Sequence, residues 1–211
     1  MTRQALIEQI RRQVYGSQPS DDANVTTGLV NQLISQGIGI AAKQCYNEAI
    51  KLDGVGYVNN SFYSTFKGLP ITQDENFLWA ITLPKVPVGV GKNEGISTLR
   101  IKNSSGDISL PVIWLSENQV TYYQSLPAPT GKILAYTQGN VAYVISSLLL
   151  DQFTATATMI SGGDNTDITS QLNVPDDYIP IIVEYAVKLL TTSREQVQDL
   201  ANDGVDVIRT I

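Results

Sequence analysis

The 211-residue chain has no histidine and a single cysteine. Without histidine it lacks the side chain most used as a general base near neutral pH and as a metal ligand. A serine nucleophile would be left with a Ser-Lys arrangement, and no G-x-S-x-G elbow is present. Cys45 alone cannot close an internal disulfide, so the fold is expected not to depend on oxidation. On an apolar helical face it reads as a small buried hydrophobe rather than a reactive thiol. Positive charge is also scarce. Fourteen Lys and Arg stand against twenty Asp and Glu, giving a net charge of −6 and a pI near 4.6. The cations are scattered and only Arg11 and Arg12 are adjacent, so no tight grip on a phosphate backbone is expected. No apolar run approaches the ~20 residues of a membrane span. Leu6 to Ile10 is broken by Glu8 and Gln9, which argues against a signal peptide. The chain is therefore expected to be soluble and made in the cytoplasm.

What is present is a core. Apolar residues make up 43% of the chain, within the globular range, and the length allows one domain or a small domain with helical appendages. The clearest helix covers 174–193, VPDDYIPIIVEYAVKLLTTS. Pro175 and the acidic pair Asp176-Asp177 suit a helix start. Ile179, Ile182, Val183, Ala186, Val187 and Leu190 then form one apolar face. Pro180 belongs in the first turn; if it lies deeper, the start moves to Ile179. The helix is expected to run on to about Asp203, with Gly204 as its stop. Residues 2–15 predict a short amphipathic helix on Leu6, Ile10 and Val14, stopped by Gly16. Residues 24–52 predict a second helix about 40 Å long. Its two glycines, Gly37 and Gly39, each cost roughly 1 kcal/mol against alanine, which predicts a close crossing or a bend there.

From Gly56 to Gly163 the pattern changes to strands and turns. Eight strands are predicted, over 57–67, 76–82, 97–103, 107–115, 119–124, 132–138, 141–147 and 153–160. Ser104-Ser105-Gly106 and Gln138-Gly139-Asn140 read as hairpin turns, and Tyr136 and Tyr143 should pair across the second. In FTATATMI, residues 153–160, Ala and Met suit the core and Thr154, Thr156 and Thr158 suit the exposed face. The fold class that follows is α+β: a helical bundle with a large inserted antiparallel β domain. The expected division is 1–53, 54–163 and 164–211, the last packing with the first.

Tests for chemistry fail. Residues 86–97 contain Gly91-Lys92, but Asn93 stands where a P-loop needs Ser or Thr, and Val86 where it needs Gly. The long loop over 84–95 reads instead as a binding element. Residues 161–167, SGGDNTD, lack calcium-loop spacing. Asp74 and Glu75 are adjacent, and strand neighbours point to opposite faces, so they cannot flank one substrate. No enzyme activity, metal or cofactor is expected.

The order of elements, with four stretches, resembles the head-to-tail connector (adaptor) proteins of tailed bacteriophages. Those stretches are CYNEAIKL at 45–52, Leu83-Pro84, GKILAYTQGNVAYVI at 131–145 and VPDDYIPIIVEYAVKLL at 174–190. Ring or neck proteins of short-tailed, crAss-like phages are the subgroup it looks most like. The long 84–95 loop and the size of the β region depart from the smallest adaptors. The resemblance implies a virion protein in a homo-oligomeric ring, dodecameric in the family. Such a ring docks on the portal protein, meets further neck or tail proteins, and lets DNA pass through its lumen without specific binding or any membrane contact. An acidic chain without a basic patch agrees with such a conduit. The implied contacts are Val205, Val207, Ile208 and Ile211 in the tail, toward the portal or a neighbouring subunit. Pro84, Val86, Pro87, Val88, Val90 and Lys92 form the implied inter-ring loop. The competing reading is a viral attachment or carbohydrate-binding module in which Trp79, Trp114, Tyr122 and Tyr123 form a stacking platform. Packing in the core and strands is the favoured role for those aromatics.

Overall fold

The computed structural model describes residues 1–16, 25–75, 77–91, 95–103, 109–124, 126, 131–160, 168–169 and 171–202. The elements in order are α1 (Arg3–Tyr15), α2 (Thr27–Asp53), β1 (Ser64–Gln73), β2 (Trp79–Thr82), β3 (Ile96–Asn103), β4 (Ser109–Trp114), α3 (Glu117–Gln124), β5 (Ile133–Gln138), β6 (Val141–Ile145), β7 (Phe153–Met159) and α4 (Ile179–Asn202). The chain is α+β, with helices flanking a β region. It divides into two compact units, Met1–Gln44 with Gly162–Ile211, and Cys45–Ser161. α2 thus belongs to the first unit up to Gln44 and to the second from Cys45.

In the helical unit the predicted stripe of α1 is buried at Leu6, Ile10 and Val14, and that of α4 at Ile182, Val183, Ala186 and Leu190, with Ile179 and Val187 half-buried; α2 buries Val30, Ile34 and Ile38. Thr2 caps α1, its hydroxyl accepting from the Ala5 amide. The chain start is also tied down by backbone: the Gln4 amide donates to Ile168 and the Leu172 amide to Met1. A Cβ on Gly37 would lie 2.9 Å from Cγ2 of Ile182, so this glycine marks the close crossing of α2 and α4. α4 starts at Ile179, with a 3-10 turn over Asp176–Tyr178 before it and Pro180 as its second residue. The later of the two expected starts is the observed one. Arg3 is the one buried charged residue among the described positions. Its guanidinium donates to the Asn31 carbonyl at 3.1 Å, to the Asn31 side chain and to the Ser35 hydroxyl.

The second unit is a closed barrel of seven strands in the order β1-β2-β6-β5-β4-β3-β7, with β7 pairing back onto β1. Every pairing is antiparallel except β4 with β5, which is parallel. The wholly antiparallel β region expected from the sequence is corrected at that pair. A parallel pair needs a crossover, and the chain between Trp114 and Ile133 supplies it with α3. Residues 119–124, predicted as a strand, are therefore helix, and seven strands rather than eight occur among the described residues. The strand predicted over 57–67 also starts late. Asn59 caps a 3-10 turn at Asn60–Phe62, and β1 then continues through Gly68 and Pro70. A bulge between Phe66 and Leu69 accommodates Gly68 at φ +70°, a left-handed conformation that side chains resist.

Alternation along the strands fills the barrel. Ile81, Leu99, Ile101, Ala135, Ala142, Val144, Ala155, Ala157 and Met159 point inward and are buried. β5 and β6 form the predicted hairpin, with Tyr136 opposite Tyr143 and their rings stacked at 5.2 Å. The turn predicted at 104–106 lies outside the described residues.

Candidate contact site

The loop after β2 closes on one end of the barrel, and its anchoring is local and specific. The Leu83 amide donates to the Asn140 carbonyl at 2.8 Å, so the β5–β6 turn holds the start of the loop. The Val88 amide reaches the Ile160 carbonyl at 3.4 Å, and the Ile160 amide donates to Gly95 at 2.9 Å, so the end of β7 holds its far side. Gly95 is packed so closely that a Cβ would fall 1.9 Å from the Val88 carbonyl oxygen. Tyr46, from the end of α2, is clasped between two glycines. A Cβ on Gly56 would overlap its ring, and one on Gly91 would lie 2.8 Å from its hydroxyl. Tyr46 is thereby buried and acts as a post against which the loop rests. No local sequence signal links residues 46, 56 and 91; only the fold brings them together.

Of the predicted loop residues, Pro84 and Val86 are exposed, Val86 by 63%. Pro87, Val88 and Val90 are half-buried, and Lys92 lies outside the described residues. Val86 to Val90, Ile96, Trp114 and Thr137 line a cleft of about 220 Å³. This is below the ~300–1,000 Å³ of ordinary small-molecule pockets. It suits an apolar side chain from another surface better than a substrate. The predicted tail contacts Val205, Val207, Ile208 and Ile211 also lie outside the described residues.

The four aromatics do not form one platform. Trp79, Val144, Ala135 and Trp114 occupy a single row across β2, β6, β5 and β4. Val144 and Ala135 are fully inward, and both tryptophans pack on the same barrel core. Tyr122 and Tyr123 sit on α3, on the outer side. Tyr123 packs with Val120 over Leu115, Leu134 and Ile145, while Tyr122 stays exposed. The capping of α3 was the overlooked signal. Ser116-Glu117-Asn118-Gln119 has the sequence of a capping box, and Gln119 makes its half of it, Oε1 accepting from the Ser116 amide and from the Ser116 hydroxyl, each at 3.0 Å.

Ionisable side chains carry structural duties here. Asp74 builds the β1–β2 turn, its carboxylate accepting from the Leu78 amide at 2.8 Å. That turn holds Phe77 at φ +62° with its ring in solvent. The Tyr57 hydroxyl donates to Asp53 Oδ2 at 2.8 Å, and this bond to a carboxylate pushes its pKa up. Cys45 is buried, as its spacing predicted. Among the described residues no group of three His, Cys, Asp or Glu is placed to hold a metal, and no helix is long and apolar enough to cross a membrane. Compared with protein-family models and with curated proteins, the chain matches none.

Proposed function

We propose that this chain is a structural protein of a phage virion, one subunit of a ring in the head-to-tail connector or neck. In this reading the ring docks on the portal protein, joins it to tail components and surrounds the DNA path. The observation that carries it is the arrangement of the units: a helical unit assembled from both ends of the chain, with a barrel inserted between them. Exposed apolar groups support a role in contacts rather than chemistry. Leu52 ends α2 with Val55 and Tyr57 just beyond it, Val86 lies in the loop after β2, and Leu149 lies between β6 and β7, all largely in solvent. The scarcity of positive charge supports a surface past which DNA moves without sticking. The reading assigns 84–95 to the next ring and Val205, Val207, Ile208 and Ile211 to the portal or a neighbouring subunit.

The test is particle mass by light scattering, for the chain alone and mixed with particles that carry an exposed portal. Ring-sized mass, or saturable co-sedimentation with the portal, is the expected result. A chain that remains monomeric and ignores portal-bearing particles would sink the reading.

A further inference from the structure

The outer face of β1, β7 and β3 carries charge of one sign only. Its strand register places three rows side by side. Thr65, Thr158 and Thr98 form the first, with a hydroxyl contact of 3.0 Å between Thr65 and Thr158. Lys67, in the β1 bulge, Thr156 and Arg100 form the second. Pro70, Thr154 and Lys102 form the third. Lys67 and Arg100 are exposed, while Lys102 and the β7 threonines are half-exposed. None of the three strands contains an acidic residue. Lys67, Arg100 and Lys102 form no ion pair with another described residue. The threonines are β-branched and stiff, so this face loses little side-chain freedom when covered.

The opposite charge is concentrated elsewhere in the same chain. Residues 162–211 hold three Lys and Arg against nine Asp and Glu, whereas 45–161 hold seven against eight. Asp176, Asp177 and Glu184 of that acidic stretch are exposed. A face with cations only and a segment rich in carboxylates are the two halves of a head-to-tail contact, in which different patches of identical subunits meet. A phosphate backbone is the weaker candidate. Three cations give a salt slope of only about 2.7, and the net charge of −6 opposes DNA.

We propose that the outer β1–β7–β3 face binds the acidic C-terminal segment of a second copy of this chain, with Asp176, Asp177 and Glu184 among the carboxylates it meets. This rests on the ring reading and names the surfaces through which neighbouring subunits join.

The experiment compares the wild type, K67E/R100E/K102E, D176K/D177K/E184K and an equimolar mixture of the two variants. Mass is read by light scattering over a range of concentration and salt, with circular dichroism to confirm folding. The wild type should associate and weaken as salt rises. Each variant alone should associate at least roughly tenfold more weakly. The mixture should regain mass, since the intact segment of one variant meets the intact face of the other and the two reversed surfaces are complementary in charge as well. If charge reversal unfolds the barrel, K67T/R100T/K102T carries the same test. A wild type whose mass ignores these substitutions overturns this contact and leaves the ring intact. A wild type that is monomeric throughout also overturns it, and portal co-sedimentation then decides the ring separately. Duplex DNA retarded by the wild type but not by K67E/R100E/K102E would assign the face to phosphates and overturn it too.

Discussion

Arg3 shows how a single side chain can organise a helix pair. Its guanidinium is buried and bonds to the backbone and side chains of α2. Truncation would leave buried acceptors unpaired and open a cavity beside α1. Arg3→Ala should therefore destabilise the helical unit by about 3 kcal/mol, read as a lower denaturant midpoint, with Arg3→Met losing less because it keeps the volume. Gly68 makes the complementary point for backbone. At φ +70° in the β1 bulge, Gly68→Ala should cost about 1–2 kcal/mol of barrel stability. Gly89, with open space around it and an ordinary φ, should tolerate alanine with little change, measured in the same denaturant titration. The burial of Cys45 and the inward alanines of β7 followed from simple periodicity. The burial of Arg3 did not, because no rule of spacing separates a buried arginine from the solvated ones around it.

At the scale of elements, α3 is the informative case. Val120, Thr121, Tyr122 and Tyr123 have strong strand propensity, yet the segment is helical because Ser116 and Gln119 close its first turn and Val120 and Tyr123 cover an apolar patch on the barrel. Gln119→Ala removes the side chain that accepts from the Ser116 amide and should cost about 0.5–1.5 kcal/mol. Hydrogen exchange should report it as faster exchange within α3 and unchanged exchange in β5 and β6. The capping box was legible in the sequence, and β propensity outweighed it. Most other elements were readable because their signals are local: the α4 stripe, the Gly-Asn turn between β5 and β6, and the alternation of β7. The late start of β1 was harder. Asn59 turned the chain by a side-chain bond to the Ser61 amide, and Gly68 and Pro70 looked like punctuation when they lie inside the strand.

For the whole molecule, closure of the barrel was not legible. The partners of β7 lie far back in the chain, and pairing at such separations leaves no local signature. The cationic face escaped notice for the same reason. Lys67, Arg100 and Lys102 look scattered in the sequence, and register gathers them onto one surface. The candidate contact loop was readable from length and composition, but the Tyr46 post beneath it was not. At this scale the tail can be tested directly. Deleting 205–211 should change thermal unfolding by less than about 0.5 kcal/mol, as for a segment outside a core. The same deletion should weaken assembly on portal-bearing particles. A large loss of monomer stability would instead make the tail part of the subunit's own core.

β7 pairs with both β1 and β3, so it is the strand that completes the barrel. The Thr65–Thr158 contact spans 93 residues. During translation, β1 and β3 leave the ribosome long before Phe153–Met159 does. Until then the nascent chain carries two unpaired strand edges, and such edges recruit one another between chains. The helical unit waits as well, since α4 emerges later still. Closure of the barrel is therefore held back until β7 has emerged, and fragments released before β7 should be captured by chaperones or aggregate rather than persist as half-barrels.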